Sequence, residues 1–597
     1  MDQAQARANL QAALTLLEAC AAAGVRLLVL CPGSRSGPLA VAAGLMERRG
    51  RLALVTAIDE RSAAFFALGH GRATGLPAAV VTTSGTAVAN LLPAAVEADF
   101  GASPLLLLTA DRPARLKGCG ANQTVNQETF LRDSLRWQGL ADPSGLHAMA
   151  PAALVQLGAA AVAACLGDAR QAAGPVQLNL PLEEPLHGDA AVLQMLAEQL
   201  VEPAAALACA DPRPPLPPGD GAVAALLDPD QPALIVAGPW RGRPQQWDGF
   251  VDALRQLQRR TGWPVLADAL SGLRGVAGLQ QVAGYDLVLA AERPDLAPGQ
   301  LLRLGPVPAS RRLQGFLQRC GARQLLISEG EPRDLDALGC ASGQLAGGVA
   351  SWWQQVAAAW GEAAPASASQ ELAGRWRAAD EALQRWLDQQ LLLGPAEPAL
   401  AEPALARALS RLLPPGLPLV LANSSPVRDW ESFMPPDAPP RPVFSFRGAS
   451  GIDGTLSLAC GVAEATGGVV LITGDLALLH DANGWLWRQQ LRGRLTVLLL
   501  DNGGGGIFEQ LPIRPAAAAL MDFERLFAMP QAVDPLILAA AHGVPGRCCA
   551  GMDSLAADLA WALAQPMALL RFATDRRADA ARRQALRTMG AALPSRP

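Results

Sequence analysis

The chain is 597 residues long with a formal net charge of −5; half of its residues are apolar and 17% are charged. That length accommodates about four domains, or three larger ones, with ample apolar surface to form their cores. A mildly acidic chain without a basic run excludes a nucleic-acid surface, and no apolar stretch has the length and continuity of a membrane span.

Taken in order, a helix near Asn9–Ala22 leads into the strand Val25–Leu30 and the turn Cys31-Pro-Gly-Ser-Arg35. The strand Leu52–Ile58 ends at Asp59-Glu60-Arg61 and passes into a helix from Ser62. The strand Ala78–Thr82 turns through Ser84-Gly85-Thr86 into a helix Ala87–Ala98, and Leu105–Leu108 runs on to Thr109-Ala-Asp-Arg112. Val176–Pro181 closes a first unit, residues 1–190. Strands alternating with helices at this spacing predict a doubly wound, mostly parallel sheet. The Pro-rich stretch Asp211–Gly219 reads as a linker. A second α/β unit, 211–360, restarts with strands Ala233–Ala237, Val265–Ala267, Leu287–Leu289 and Leu325–Ile327 and the helix Trp247–Arg260. A loose stretch, Glu362–Gln370, precedes the helix Glu371–Leu392, and a third unit occupies 404–577.

Within the third unit, Val469–Ile472 precedes Gly474-Asp475-Leu476, and Leu498–Leu500 precedes Asp501-Asn502 and four glycines. Both apolar runs read as buried parallel strands, with Leu476–Leu491 as their crossover helix. A right-handed βαβ unit brings Asp475 and Asn502 together at the carboxyl edge, where open α/β sheets bind ligands. A carboxylate, an amide oxygen and a glycine carbonyl such as that of Gly504 suit a hard cation, Mg²⁺ or Mn²⁺, bridging to a diphosphate. The amino end of the Leu476 helix adds a favourable partial charge.

This segment resembles the cofactor motif of the thiamine diphosphate enzymes, Gly-Asp-Gly, a spacer, then Asn. Leu476 replaces the second glycine, and Asp501 stands where many relatives carry another Asn. The resemblance implies three domains of the thiamine diphosphate enzyme type: a pyrimidine-binding domain (1–190), a central α/β domain (211–360) and a diphosphate-binding domain (404–577). It makes Glu60 the catalytic acid that hydrogen-bonds the cofactor's aminopyrimidine ring, a task suited to a partly desolvated carboxylate. It also implies that Glu60 of one subunit meets Asp475 of another, in a homodimer or homotetramer.

Further motifs narrow the resemblance. Cys31–Ser36, Asp59–Arg61, Thr83–Asn90, Thr109–Pro113, Gly120–Gln123, Asn423-Ser424, Arg428, Arg447–Asp453 and Ile507-Phe508 recur in order in the 2-succinyl-5-enolpyruvyl-6-hydroxy-3-cyclohexene-1-carboxylate synthase family. The implied reaction decarboxylates 2-oxoglutarate and adds the resulting carbanion to isochorismate, on the way to menaquinone or phylloquinone. Both substrates are dicarboxylates, so planar, permanently charged guanidinium forks are the appropriate ligands. Arg35, Arg112, Arg428 and Arg447 occupy matching motif positions. Ser34, Asn122 and Gln123 add neutral polar groups, and Arg311 and Arg312 align with a basic pair of the family. Ser424, Ser450, Gly451, Gly474 and Leu476 are implied cofactor contacts. Ile452 matches the apolar residue that keeps the cofactor bent, and Ile507, Phe508 and Leu511 wall the site against water.

Ten cysteines without a C-x-x-C pair suit neither a zinc site nor a disulfide framework, and only five histidines occur. His70 and His480 read as structural. The opening residues show no signal-peptide pattern, so a cytoplasmic protein is expected. Three competing readings remain: a thiamine-dependent decarboxylase or acetohydroxyacid synthase acting on monocarboxylates, a non-catalytic scaffold that kept the fold, and a nicotinamide dehydrogenase. Four arginines in the motifs disfavour the first. Retention of Glu60, Asp475 and Asn502 together disfavours the second, and the absence of a G-x-G-x-x-G after a strand disfavours the third.

Overall fold

A computed structural model describes residues 3–199, 221–392 and 400–592. The predicted linker Asp211–Gly219 lies outside the described residues. Three six-stranded sheets make up the fold. The first holds β1 (Leu27–Leu30), β2 (Ala53–Thr56), β3 (Ala79–Thr82), β4 (Leu105–Asp111), β5 (Trp137–Leu140) and β6 (Pro175–Pro181). The second holds β7 (Ala233–Ala237), β8 (Val265–Ala267), β9 (Gln281–Val282), β10 (Gln300–Leu304), β11 (Arg323–Ile327) and β12 (Gly343–Leu345). The third holds β13 (Leu419–Leu421), β14 (Val443–Ser445), β15 (Gly468–Gly474), β16 (Arg494–Asp501), β17 (Gly546–Cys548) and β18 (Met567–Ala573).

Every ladder between these strands is parallel. Parallel ladders require crossover helices, which cover both faces and account for near-continuous apolar runs such as Leu105–Leu108. The chain is thus α/β throughout, built on three doubly wound parallel sheets. Strand order in the first sheet is β2-β1-β3-β4-β6-β5, and in the third β14-β13-β15-β16-β18-β17, the same winding. The central sheet runs β12-β11-β10-β7-β8-β9. No sequence repeat betrays the shared winding of the outer two.

Contacts divide the chain into two compact units. The first comprises Met1–Pro215 with Arg447–Gly467 and Asp481–Gly493. Its helices Glu60–Thr74 and Thr455–Thr466 pack backbone to backbone: a Cβ on Gly69 would lie 2.1 Å from the Leu458 carbonyl oxygen, and one on Gly461 1.9 Å from that of Phe66. The second unit holds the other two sheets, which share one core. Leu234 and Leu301 from the central sheet belong to the same buried cluster as Val470 and Leu498 from the third. The helix Ser367–Leu391 contributes Trp376, Leu383 and Leu387 to it.

Several expected elements take another form. The predicted crossover helix Leu476–Leu491 is a helix Asp475–His480 followed by a 3-10 segment Ala482–Gln489. The break falls at Asp481, whose buried carboxylate accepts the Ser457 N–H at 2.7 Å instead of facing solvent as a helical Asp would. Leu287–Leu289 is not a strand; Tyr285–Val288 is a short helix, and the Ala283 and Gly284 N–H groups just before it donate to Asp380 at 2.9 Å. A short apolar run does not distinguish the two states. The helix expected over Ala87–Ala98 is two, Thr86–Ala89 and Leu92–Phe100, with Pro93 opening the second. Strand β10 was missed because Arg303 interrupts its apolar run; Arg303 is buried and paired with Asp336 at 2.7 Å.

Candidate active site

In the first unit, the carboxyl edge of the sheet gathers one predicted site residue after each of several strands. Arg35 follows β1 and is buried; Nη1 donates to the Leu182 carbonyl oxygen and Nη2 to Glu184 Oε1, both at 2.8 Å. Its neighbour Ser34 is exposed. Glu60 follows β2 as the first residue of the helix Glu60–Thr74, which Asp59 caps by accepting from the N–H groups of Arg61 and Ser62. Glu60 Oε2 accepts from Asn90 Nδ2 at 3.3 Å. After β4, Arg112 donates from Nη1 to the Gln123 carbonyl oxygen at 2.8 Å and to Ser84 Oγ. Burial lowers the pKa of the Arg112 guanidinium, and the positive charge of Arg35 lowers it further, against the pull of Asp111 and Glu184. Arg35 and Arg112 are thus near enough for one charge to act on the other, with Glu184 as the counter-ion of Arg35.

Gln123 and Asn122 are exposed on the loop that follows, with Gln123 Nε2 donating to the Ser84 carbonyl oxygen at 2.7 Å. Arg447, Ser450, Gly451 and Ile452 lie on one loop of this same unit. Among the described residues, five non-glycine residues have positive φ. Three of them, Gln123 (+55°), Ser424 (+74°) and Ser450 (+61°), are predicted site residues. Strained backbone of this kind concentrates where a ligand dictates geometry.

In the second unit, β15 pairs with β16 in a register that sets Gly474 opposite Leu500, so Asp475 and Asn502 leave the sheet side by side. The Asp475 carboxylate accepts the Leu476 N–H at 2.8 Å and the Gly504 N–H at 2.6 Å. Burial pushes its pKa up to about 6, with Asp501 and Glu402 adding to the rise and the two N–H groups opposing it. Asn502 Nδ2 donates to Glu402 Oε1 at 2.6 Å, while Asn502 Oδ1 is buried with no hydrogen-bond partner among the described residues. A desolvated carboxylate beside an orphaned amide oxygen is the pattern that a hard cation resolves, so these residues fit a divalent metal. Among the described residues no cluster of three or more His, Cys, Asp or Glu could hold a metal, so such a site here would draw on an amide and a backbone carbonyl. Gly504 is required: its φ is +124° and a Cβ would lie 2.2 Å from the Ala528 carbonyl oxygen. The expected helix-end charge is smaller than the sequence suggested, because Asp475–His480 is under two turns and its Leu476 N–H is already spent on Asp475.

A family model described as the thiamine pyrophosphate enzyme N-terminal TPP binding domain matches residues 10–130. A protein of Synechococcus sp. (strain RCC307) named 2-succinyl-5-enolpyruvyl-6-hydroxy-3-cyclohexene-1-carboxylate synthase is 55% identical over 592 residues, covering 98% of both chains. Proteins of the same name from Synechococcus sp. (strain CC9902) and Parasynechococcus marenigrum (strain WH8102) are 53% and 54% identical, over 95% and 94% of this chain and 97% and 98% of their own. The chain belongs to this synthase family.

For a thiamine diphosphate synthase of this family, the remaining predicted residues fall as follows. Ser424, at the amino end of the helix Ser425–Phe433, accepts from Arg428 Nη1 through its carbonyl oxygen at 2.7 Å, and Arg428 is exposed. Ile507 and Phe508 sit in the 3-10 turn Gly506–Gln510, with Leu511 just beyond. Arg311 is exposed, whereas Arg312 is committed to Asp286, donating to its carbonyl oxygen at 2.7 Å and to its carboxylate. Arg312 is close enough to lower the pKa of Arg587, after the larger effect of burial, and Arg587 donates to Gln510 Oε1 at 2.7 Å beside the Ile507–Leu511 wall.

Sequence reasoning missed the groups beneath Asn502. Glu402 also accepts from Arg583 Nη2, and Arg583 donates to Asp429 from Nε at 2.7 Å and Nη2 at 2.5 Å. Asp579 completes the cluster by accepting the Glu402 N–H at 3.0 Å. These residues are scattered over the chain, and only the fold brings them together.

Proposed function

We propose that the chain decarboxylates 2-oxoglutarate and joins the remaining fragment to isochorismate by conjugate addition, with thiamine diphosphate held through Mg²⁺ or Mn²⁺, as a step toward menaquinone or phylloquinone. The observation that carries this reading is the row at the carboxyl edge of the first sheet, Arg35, Glu60 and Arg112, which supplies two guanidiniums near enough for Arg35 to lower the pKa of Arg112 even with Glu184 paired to Arg35. A monocarboxylate needs no such pair.

When bound, thiamine diphosphate supplies the carbon acid and the electron sink. Asp475, Asn502 Oδ1 and the Gly504 carbonyl oxygen are the ligands proposed for the cation, and Gly474 and Leu476 flank the diphosphate. Glu60 is proposed to hold the proton shared with the aminopyrimidine ring. Ser424, Ser450, Gly451 and Ile452 are proposed to shape the remaining cofactor contacts. Arg35, Arg112, Arg428 and Arg447 bind substrate carboxylates, with Ser34, Asn122, Gln123, Arg311 and Arg312 as further polar contacts. Ile507, Phe508 and Leu511 exclude water from the reacting carbon.

The same reading takes 1–190, 211–360 and 404–577 as the three domains, each interval containing one sheet. It places Glu60 of one copy with Asp475 of another, in a homodimer or homotetramer. Exposed apolar side chains support a partner copy, among them Ile58 (77% exposed), two residues before Glu60, and Leu520 (81%). Among the described residues no helix is long and apolar enough to cross a membrane, and we propose a cytoplasmic protein.

The test is loss of isochorismate absorbance with 2-oxoglutarate, thiamine diphosphate and Mg²⁺, each omitted in turn. Loss that needs every component is expected. Consumption of pyruvate with CO₂ release in place of that loss would move the chain to a simpler carboligase or decarboxylase.

A further inference from the structure

The helix Leu92–Phe100 (LPAAVEADF) is mostly apolar, yet Glu97 within it is only 2% exposed. A carboxylate so placed must have its oxygens filled. Oε1 accepts from Arg72 Nη2 at 2.7 Å and from the Gly448 N–H at 3.1 Å. Oε2 accepts the N–H groups of Ala449 at 2.7 Å and Ser450 at 3.3 Å. Three consecutive amides therefore converge on one side-chain anion, in the manner of a backbone nest that binds its own protein. They belong to the loop that carries Arg447, Ser450, Gly451 and Ile452. Ser450 has φ +61°, a conformation that an L-residue keeps only when its surroundings enforce it.

We propose that Glu97 is a positioning residue for the synthase reaction: its carboxylate, fixed by Arg72, clamps the loop Arg447–Asp453 in the strained form that presents Arg447 to substrate and Ser450 and Ile452 to cofactor. The inference rests on the function proposed above. Glu97 touches no reactant; it acts through the backbone it holds. All its partners are donors, so an amide in its place would turn an NH₂ group toward at least one of them.

The experiment uses the full-length protein with Glu97→Gln. Hydrogen exchange is read over residues 447–453, and the thiamine diphosphate concentration giving half-maximal rate is read in the isochorismate assay. Losing one charge-assisted hydrogen bond predicts faster exchange in that loop by about ten-fold or more, and a similar rise in half-saturating cofactor. The rate at saturating cofactor should fall less, and exchange in β1, β3 and β4 should not change. Arg72→Gln, which keeps the carboxylate but loosens it, should move both readouts in the same direction by less, and it decides the matter if the first variant does not fold. Unchanged exchange at 447–453 would overturn the proposal. So would a variant with a lower Tm but the wild-type cofactor dependence, since that is the mark of a purely structural ion pair. Should wild type itself consume no isochorismate, the functional reading fails, and the exchange readout still judges the clamp.

Discussion

Arg583 is the cation shared by the buried carboxyl groups Glu402 and Asp429, with Asp579 beside them. Glu402 and Asp429 are 1% and 2% exposed, and burial together with the charge of Glu402 pushes Asp579 up to about 8. In Arg583→Met the volume is roughly kept and the charge is lost. Glu402 and Asp429 then face each other without the counter-ion they share, and protonating one of them is the cheapest relief. For a carboxyl of ordinary pKa near 4, that costs about 4 kcal/mol at pH 7, at about 1.4 kcal/mol for each pH unit. The figure agrees with the 3–5 kcal/mol typical of breaking a buried ion pair from one side. Urea unfolding followed by tryptophan fluorescence is the assay, because Trp430, next to Asp429, is only 1% exposed. The expected loss is about 4 kcal/mol at pH 7, shrinking by about 1.4 kcal/mol per unit as the pH is lowered toward 5. A loss below about 1 kcal/mol, or the same loss at both pH values, would refute the reasoning. Because Arg583 holds Glu402 and Glu402 holds Asn502, the variant should also bind Mn²⁺ more weakly by electron paramagnetic resonance titration.

Three further outcomes are expected. Glu60→Gln should bind thiamine diphosphate within a few-fold of wild type while turnover falls about 10²–10⁴-fold; near-normal turnover would remove Glu60 from the chemistry. Burial raises the Asp481 carboxyl to about 6 in the folded protein, so the native state binds the extra proton, and its contribution to stability is present at low pH and lost as the pH rises from about 4 through 6. Asp481→Asn should abolish that slope, gaining up to about 3 kcal/mol on wild type between pH 4 and pH 7; parallel pH profiles would show the group is not the cause. Gly461→Ala forces a Cβ against the Phe66 carbonyl oxygen and should cost about 1–3 kcal/mol of first-unit stability, and an unshifted melting curve would mean the two helices part more readily than their packing suggests.

What the sequence disclosed depended on how local the signal was. The strands β1, β3, β4, β15 and β16 are continuous apolar runs bounded by turn residues, and their order along the chain places Asp475 beside Asn502. Arg303 hid β10, because a buried charge is explained only by Asp336, more than one element away. Leu287–Leu289 looked like a strand because a run that short carries no period. The orphaned Asn502 Oδ1 is likewise a matter of orientation: the residue was legible, but the bond from its amide nitrogen to Glu402 was not. Glu97 did leave a trace, one of two acids inside an otherwise apolar helix, yet its three amide partners are hundreds of residues downstream. The arginines are predicted from motifs alone, and the structure adds that Arg312 already has a partner in Asp286.

The composition of the first unit bears on how the molecule is made. Its helix Glu60–Thr74 packs closely on Thr455–Thr466, and its Phe66 ring stacks on Trp487 at 4.1 Å between centroids. Both partners are encoded after the whole central sheet. During synthesis from the amino end, the early part of this unit therefore emerges with the glycine-lined face of Glu60–Thr74 uncovered, and it stays so until the segments ending at Gly493 leave the ribosome. A fragment cut near residue 200 would keep all six strands of its sheet and still expose that face. Such a fragment should aggregate or bind chaperones, and co-expression of the remaining chain should rescue it.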